Sequence, residues 1–285
     1  MPKDNHIIAL LGNLPVPSDS FQRVLADSSK SYREHFAMAE GSPLVAFDYD
    51  SPDLQDGSIA YHPVFGPVRY RSDWRFSTER FIRGLKAAEE NPAIIAHIIH
   101  VDSVGGEAFG CHEGFETVKS LKKPCYGVVD TVAASAGYYL VAAADRIYTG
   151  SIFSEVGCIG IMAVICDDSK MLEQWGLEVH EYYSSYSPLK NKVFNDARKG
   201  NGEEFVKKWL DPVARQFIDD VKSVRSGITQ PAQEGEAYYT ADALAAGLID
   251  GEKTLEEVVE LIRKKHGPNP AAQETIDINQ LNFSL

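Results

Sequence analysis

Two continuous apolar runs, each leading into small residues and then a helical pattern, predict an α/β fold with parallel strands. The first run is AIIAHIIHVDS (93–103) and the second is CYGVVD (125–130). Apolar runs of this length without alternation mark strands buried on both faces, which parallel sheets flanked by helices provide. Gly105-Gly106 follows the first run, and the segment VAASAGYYLVAAAD follows the second and reads as a turn into a helix.

The remaining elements fall into place in chain order. Phe21–Met38 can hold a helix, with Asp19 or Ser20 as its N-cap. The stretch 41–57 is rich in Ser, Pro, Gly and Asp and reads as loop. SIAYHPVFGPV, from Ser58, suggests a strand or hairpin punctuated by Gly66-Pro67. Phe81, Ile82, Leu85 and Ala88 have helical spacing over Thr78–Asn91, and Pro92 ends that helix. A helix over Gly110–Leu121 separates the two buried runs. A short strand around Arg146–Thr149 precedes the glycine-punctuated SEVGCIGIMAVIC. LEVHEYY (177–183) reads as a strand, followed by the loop SSYSPLKNK. A long amphipathic helix is expected over Glu203–Ser226. A helix at Thr240–Ala246 ends at Gly247, a short strand is expected at 248–250, and a last helix runs from Thr254 to Lys265. No linker interrupts the middle of the chain. The expected organisation is an N-terminal extension (1–54), one main domain (55–266) and a C-terminal tail (267–285).

Bulk properties exclude several classes. The chain has 285 residues, 28 Lys plus Arg against 41 Asp plus Glu, and a net charge of −13. Such an acidic surface, with no basic cluster to offset it, repels phosphate backbones, so no nucleic-acid partner is expected. The four cysteines (Cys111, Cys125, Cys158, Cys166) have neither C-x-x-C nor metal-ligand spacing and read as reduced thiols. No P-loop, G-x-G-x-x-G or metal cluster appears, so no cofactor is expected. The N-terminal apolar stretch is broken too early for a signal peptide. The longest later run, Val156–Cys166, falls well short of the roughly 18 residues of a membrane span. A cytoplasmic location is the expectation.

Three places carry chemistry. Gly105-Gly106 lies beyond the carboxyl end of a buried strand, where ligands of open α/β sheets sit. Paired glycines there bring backbone N–H groups close to a substrate, or simply make a tight turn. Ser135, in Ala133-Ala134-Ser135-Ala136-Gly137, opens a helix after the next strand. Free N–H groups there can hold an oxyanion; the plainer reading is an N-cap serine. A nucleophilic serine needs a base. The odd separation of His97 and His100 points them to opposite faces, leaving at least one structural or exposed, and His112 and His180 stand isolated. Lys190 and Lys192 in the loop 184–192 remain. A lysine acts as base only if desolvation lowers its pKa from about 10.4 towards 7, which costs about 4 kcal/mol.

The segments DSVGGEA, KPCYGVVDTVAASAGYYLVAAADRIY, GCIGIM, the lysine loop and GLIDG occur in this order. In these the sequence resembles the signal peptide peptidase A family of Ser-Lys peptidases, which includes the phage prohead proteases. It is distantly similar to Clp-type proteases and crotonases. The resemblance covers roughly residues 55–260. It implies a crotonase/Clp-like spiral of ββα units, with Ser135 as nucleophile, Lys190 as base, and the N–H groups of Gly106 and Ala136 as oxyanion hole. Gly105, Gly137 and Cys158 would support the site. It also implies a polypeptide substrate bound in extended form beside a sheet edge and assembly into a homo-oligomer. The expected role is trimming phage scaffold and capsid proteins within the prohead. The alternatives are a signal-peptide-peptidase-like protease of the cytoplasm and an inactive binding relative; a crotonase-type acyl-CoA enzyme would not need Ser135.

The sequence departs from the family at Val104, where a proline is usual, and at Cys158, where a serine usually helps hold the lysine. A thiol is a weak hydrogen-bond partner, and Ser154 is a candidate substitute. The spacing from Ser135 favours Lys190, because Lys192 needs a larger insertion in SSYSP.

Overall fold

The computed structural model describes residues 43–267, save 47 and 73–75. The helix expected over Phe21–Met38 and the expected tail from 268 onward lie outside the described residues. The strands are β1 (Leu44–Val45), β2 (Ser58–Phe65), β3 (Ile94–Ser103), β4 (Cys125–Ala134), β5 (Arg146–Thr149), β6 (Glu155–Gly157), β7 (Ala237–Tyr239) and β8 (Gly251–Glu252). They form one sheet in the order β1-β2-β3-β4-β5-β8, and all neighbours along this path are parallel. The predicted α/β class with mostly parallel strands is therefore the observed one.

β4 is the pivot of the sheet. Its first half, Tyr126–Val129, pairs with β5, and its last three residues, Val132–Ala134, pair with β6. β6 in turn pairs antiparallel with β7. The strand thus serves two neighbours in succession and delivers its carboxyl end between β3 and β6.

The larger helices are α1 (Thr78–Glu90), α2 (Cys111–Lys119) and α3 (Ala136–Val141). Then come α4 (Ser169–Gln174), α5 (Lys192–Arg198) and α6 (Glu203–Phe205), which runs through one π-helical turn (Val206–Leu210) into α7 (Asp211–Val224). They are followed by α8 (Gln230–Gln233), α9 (Thr240–Ala245) and α10 (Leu255–His266). Ser77 caps α1 by accepting from the Arg80 N–H, and α10 starts with a reciprocal capping box between Thr254 and Glu257.

The sheet buries both faces. One carries Ile99, Val101, Val129 and Ala133 against α1, α2, α3 and α7, through Leu85, Phe115, Leu140 and Phe217. The other carries Ile59, Tyr61, Ile98 and Val128 against Leu255, Val258 and Ile262 of α10. His97 and His100 do point to opposite faces, but both are buried. His97 bridges His62 (3.1 Å) and Glu89 (3.1 Å), and His100 bridges the Tyr61 hydroxyl (2.7 Å) and Asp130 (3.2 Å). Both ring nitrogens of His97 thus have hydrogen-bonding partners, and Asp130 stands at ion-pair distance from His100 Nε2.

Three expectations are corrected. Leu177–Tyr183 forms no strand; its apolar residues lie exposed on a segment with no partner strand, so alternation alone misleads there. The last strand is Gly251–Glu252 rather than 248–250, because Leu248 and Ile249 are spent as buried core. The stretch read as loop over 41–57 contains β1, which is too short to carry a pattern, and Tyr49, which is buried against His62.

Burial holds the His62 imidazole well below its ordinary value, reinforced by His97; burial also outweighs Glu89 and lowers His97. Both rings take up a proton less readily in the fold than in the unfolded chain, where they protonate near pH 6.5. The unfolded state therefore binds more protons below that pH, and stability falls as pH drops from about 6.5. The melting temperature should decline between pH 7.5 and 5.5. His62→Gln, which keeps a hydrogen-bonding group but does not titrate, should flatten that decline; an equally steep decline in the variant would contradict the assignment.

Candidate active site

The site grows out of the end of β4. Ser135 follows Ala134 directly and caps α3, with φ 52° and ψ −125°. A non-glycine residue in this region is strained, at a cost of about 1–3 kcal/mol, and holds only where its surroundings fix it. Here the Ser135 N–H donates to the Gly157 carbonyl of β6 (2.9 Å), and its carbonyl accepts from the Tyr139 N–H (2.9 Å). Ser135 is 7% exposed, and all six residues of α3 are buried.

Small residues are required on every side. Gly105 has φ 103°, and a Cβ there would stand 2.8 Å from the Ser135 Cβ and 3.0 Å from the Ala136 nitrogen. A Cβ on Gly106 would meet the Val68 carbonyl oxygen at 2.1 Å, and one on Gly137 the Ser103 carbonyl oxygen at 2.8 Å. Gly105 is thus packed against the serine turn, 30 residues away in sequence, while Gly106 packs on Val68. Ser103 braces the corner: its hydroxyl donates to the Gly66 carbonyl (2.6 Å) and accepts from the Gly105 N–H (3.1 Å).

The backbone around Gly106 has a direction. Val68 forms a parallel bridge with Gly106 by donating to the Gly105 carbonyl (2.8 Å) and accepting from the Glu107 N–H (2.8 Å). In such a bridge the N–H of Gly106 itself turns to the opposite side, away from Val68. Ala136 opens α3, where the N–H groups lack helical acceptors. Among the described residues, neither of these two N–H groups donates to a protein acceptor. Ser135, Gly105, Gly106, Ala136 and Gly137 are thereby brought together.

Cys158 lies one residue past the carbonyl that holds Ser135. It too has a positive φ, 53°, and its N–H donates to the Glu236 carbonyl (2.9 Å). Burial, with Glu155 second, pushes its thiol above the ordinary value. Ser154 is committed elsewhere: it is fully buried, and its hydroxyl donates to the Asp130 carbonyl (2.5 Å).

The lysine loop stands outside this cluster. Lys190 is exposed, and its N–H donates to the Ser187 carbonyl (3.1 Å). It lines an open cavity of about 330 Å³ together with Glu181, Tyr183 and Asn191, and Ser135 is not among the lining residues. Lys192 is ion-paired with Asp196 at 2.5 Å. The surrounding arm exposes Trp175, Leu177, Tyr182, Tyr186 and Leu189, with Tyr182 91% and Tyr186 95% exposed.

Behind the serine turn lies a cluster that the sequence reading missed. Asp220 of α7 accepts from the Tyr139 hydroxyl (2.5 Å) and Gln216 (2.8 Å), and its carboxylate lies 2.7 Å from His112 Nδ1. Burial alone would raise the Asp220 carboxyl, but these hydrogen bonds outweigh it and hold it below the usual range. Burial first, and then Asp220, push the Tyr139 phenol upward. His112, Glu116 and Asp220 bring three ligand atoms within 4.8 Å of one another, yet Lys119 stands 3.6 Å from Glu116 and fills the role of counter-charge. No local signal reveals this cluster, because His112 and Asp220 are 108 residues apart.

A strained serine at a strand-to-helix turn, with unpaired backbone amides beside it, is the arrangement that serine hydrolases use to attack a carbonyl. Comparison with known proteins makes the class specific. The model of Peptidase family S49 matches residues 117–268, more than half of the chain, and the chain belongs to that family of serine-type peptidases. A putative signal peptide peptidase SppA of Enterococcus faecium is 26% identical over 202 residues, covering 67% of this chain and 57% of the relative. A probable protease SohB of Buchnera aphidicola is 27% identical over 177 residues, covering 61% and 56%. The chain thus spans about half the length of these relatives. Among solved structures, a mutant of the 1510-N membrane-bound stomatin-specific protease with a substrate peptide has a TM-score of 0.44 at 17% identity, covering 71% of this chain and 78% of that one.

The close approach at the glycine pair gives a direct prediction. Gly106→Ala should destabilise the protein by roughly 2–4 kcal/mol, since backbone rather than a flexible side chain must move. Chemical denaturation measures this; a loss under about 0.5 kcal/mol, the usual range of a neutral surface change, would contradict the packing.

Proposed function

We propose that this chain is a serine endopeptidase with Ser135 as nucleophile and Lys190 as general base. The observation that carries this reading is the strained Ser135 turn packed against Gly105, with the Gly106 and Ala136 N–H groups donating to no acceptor among the described residues. In this reading a neutral lysine takes the Ser135 hydroxyl proton as Oγ attacks the scissile carbonyl. The two N–H groups receive the oxyanion. The lysine then protonates the leaving amine, and the acyl-enzyme is hydrolysed by a water that the lysine deprotonates.

Lys190 is favoured over Lys192 because the latter is taken up in an ion pair with Asp196. Lys190 must be desolvated to act. The exposed aromatic and aliphatic side chains of its arm support docking onto a second copy of this chain, which would supply that burial. The substrate is an extended polypeptide, added beside a sheet edge.

Two roles divide the reading. Resemblance to the prohead branch supports trimming of scaffold and capsid proteins in an assembling phage shell. The name of one relative, a putative signal peptide peptidase SppA, supports a signal-peptide-peptidase-like protease degrading peptides in the cytoplasm instead. No helix among the described residues is long and apolar enough to cross a membrane. Cleavage of a purified scaffold protein but not of signal peptides would select the first role, and the reverse the second.

The dyad is tested on unfolded casein. Ser135→Ala and Lys190→Ala should each lower kcat by roughly a thousandfold or more, while Lys192→Ala keeps most of it. Undiminished cleavage by Ser135→Ala would remove the basis of the proposal.

A further inference from the structure

Six-residue α3 is too short to hold itself, because isolated helices need roughly 12–15 residues even to be marginal in water. Yet it must keep Ser135 in a strained conformation. Something else fixes it: α2 and the sheet pack on α3, with Phe115 against Tyr139 and the Tyr138 hydroxyl on the Leu248 carbonyl, and α7 adds directed contacts at Tyr139 and just past the helix. The Tyr139 ring stacks on Phe217 of α7 with centroids 4.1 Å apart and planes 14° apart. One turn on, the Tyr139 hydroxyl donates to Asp220. At the C-terminal end of α7, Arg225 donates through Nε to the Ala142 carbonyl (3.2 Å) and through Nη2 to the Ala144 carbonyl (3.0 Å). Asp250 steadies that guanidinium at 2.7 Å. The Tyr139 N–H, on the same residue, donates to the Ser135 carbonyl.

The Asp220 contact is more than packing. Phe217 and Phe115 already supply apolar surface to the Tyr139 ring. The carboxylate adds direction, since His112 shares its Oδ2 with the Tyr139 hydroxyl and Gln216 donates to its Oδ1. A buried anion with three hydrogen-bonding partners allows one position for the phenol, whereas apolar contacts allow sliding. We propose that Asp220, acting through Tyr139, is a positioning residue that sets the Ser135 hydroxyl for attack. This rests on the reading of Ser135 as nucleophile. α7 is also the continuation, through the π-helical turn 206–210, of the arm that carries Lys190. The helix that fixes the serine is thus covalently continuous with the segment bearing the base.

The test measures the second-order rate constant for fluorophosphonate labelling of the full chain, together with kcat and KM on a peptide substrate. Tyr139→Phe keeps the ring stack and drops only the hydroxyl; Asp220→Asn drops the charge. Both should label roughly tenfold to a hundredfold more slowly, with kcat reduced in proportion and KM within about twofold. Val258→Ala, in the core on the other face of the sheet, should lower the melting temperature without slowing labelling. Labelling of Tyr139→Phe at the wild-type rate, or slowed no more than in Val258→Ala, would overturn the proposal. Should Asp220→Asn not fold, Tyr139→Phe decides alone. Ser135→Ala separates the two levels: loss of its labelling with a fast Tyr139→Phe sinks the positioning role only, whereas persistent labelling sinks the nucleophile itself.

Discussion

The structure is organised around the single turn in which β4 ends. Ser135 is strained because the chain must leave a strand held on both sides, by β3 and by β6, and enter a helix within one residue. Its N–H is pinned to β6, and Gly105 from the β3 side closes to within van der Waals distance of its Cβ. The strain is offset by complete burial of α3, whose residues Tyr138, Leu140 and Val141 sit in the main core. Gly137 has no room for a side chain, because the Ser103 carbonyl oxygen and side chain fill the space beside it.

Stability and reactivity are distributed unevenly as a result. The sheet and the helices that cover it are dense with buried aliphatic and aromatic side chains. They also hold polar chains, His62–His97–Glu89 and Tyr61–His100–Asp130, that fix β2, β3 and α1 in register. The arm from about 162 to 205 is built differently: it is exposed and held by local contacts such as Asn195 with Tyr183 and Glu181. Few buried contacts imply a low free energy of local opening. A rigid serine and a loosely held lysine loop are thus joined from both ends of the arm, by α7 and by β6, whose Gly157 carbonyl holds the Ser135 N–H.

Much of this was legible in the sequence wherever burial writes a pattern. The run 93–103 announced β3, Pro92 marked the end of α1, and the last helix, read from Thr254 to Lys265, spans Leu255–His266. Ser135 with the two glycines was legible through the order of the motifs, since each sits just past the end of a long buried strand. Elements of two or three residues, β1, β6, β7 and β8, left no period to read. Leu177–Tyr183 misled because its apolar residues serve an exposed surface rather than a ladder. Asp220 and Arg225 were invisible as parts of the site, because their partners lie some 80 residues away and a helix-face charge looks the same whether it is solvated or clamped.

The most direct test of the central claim is peptide mapping of the intact protein after reaction with a fluorophosphonate, read by mass spectrometry. The account predicts one adduct, on the peptide containing Ser135. An adduct on another serine, or none on a folded and proteolytically active sample, would contradict it.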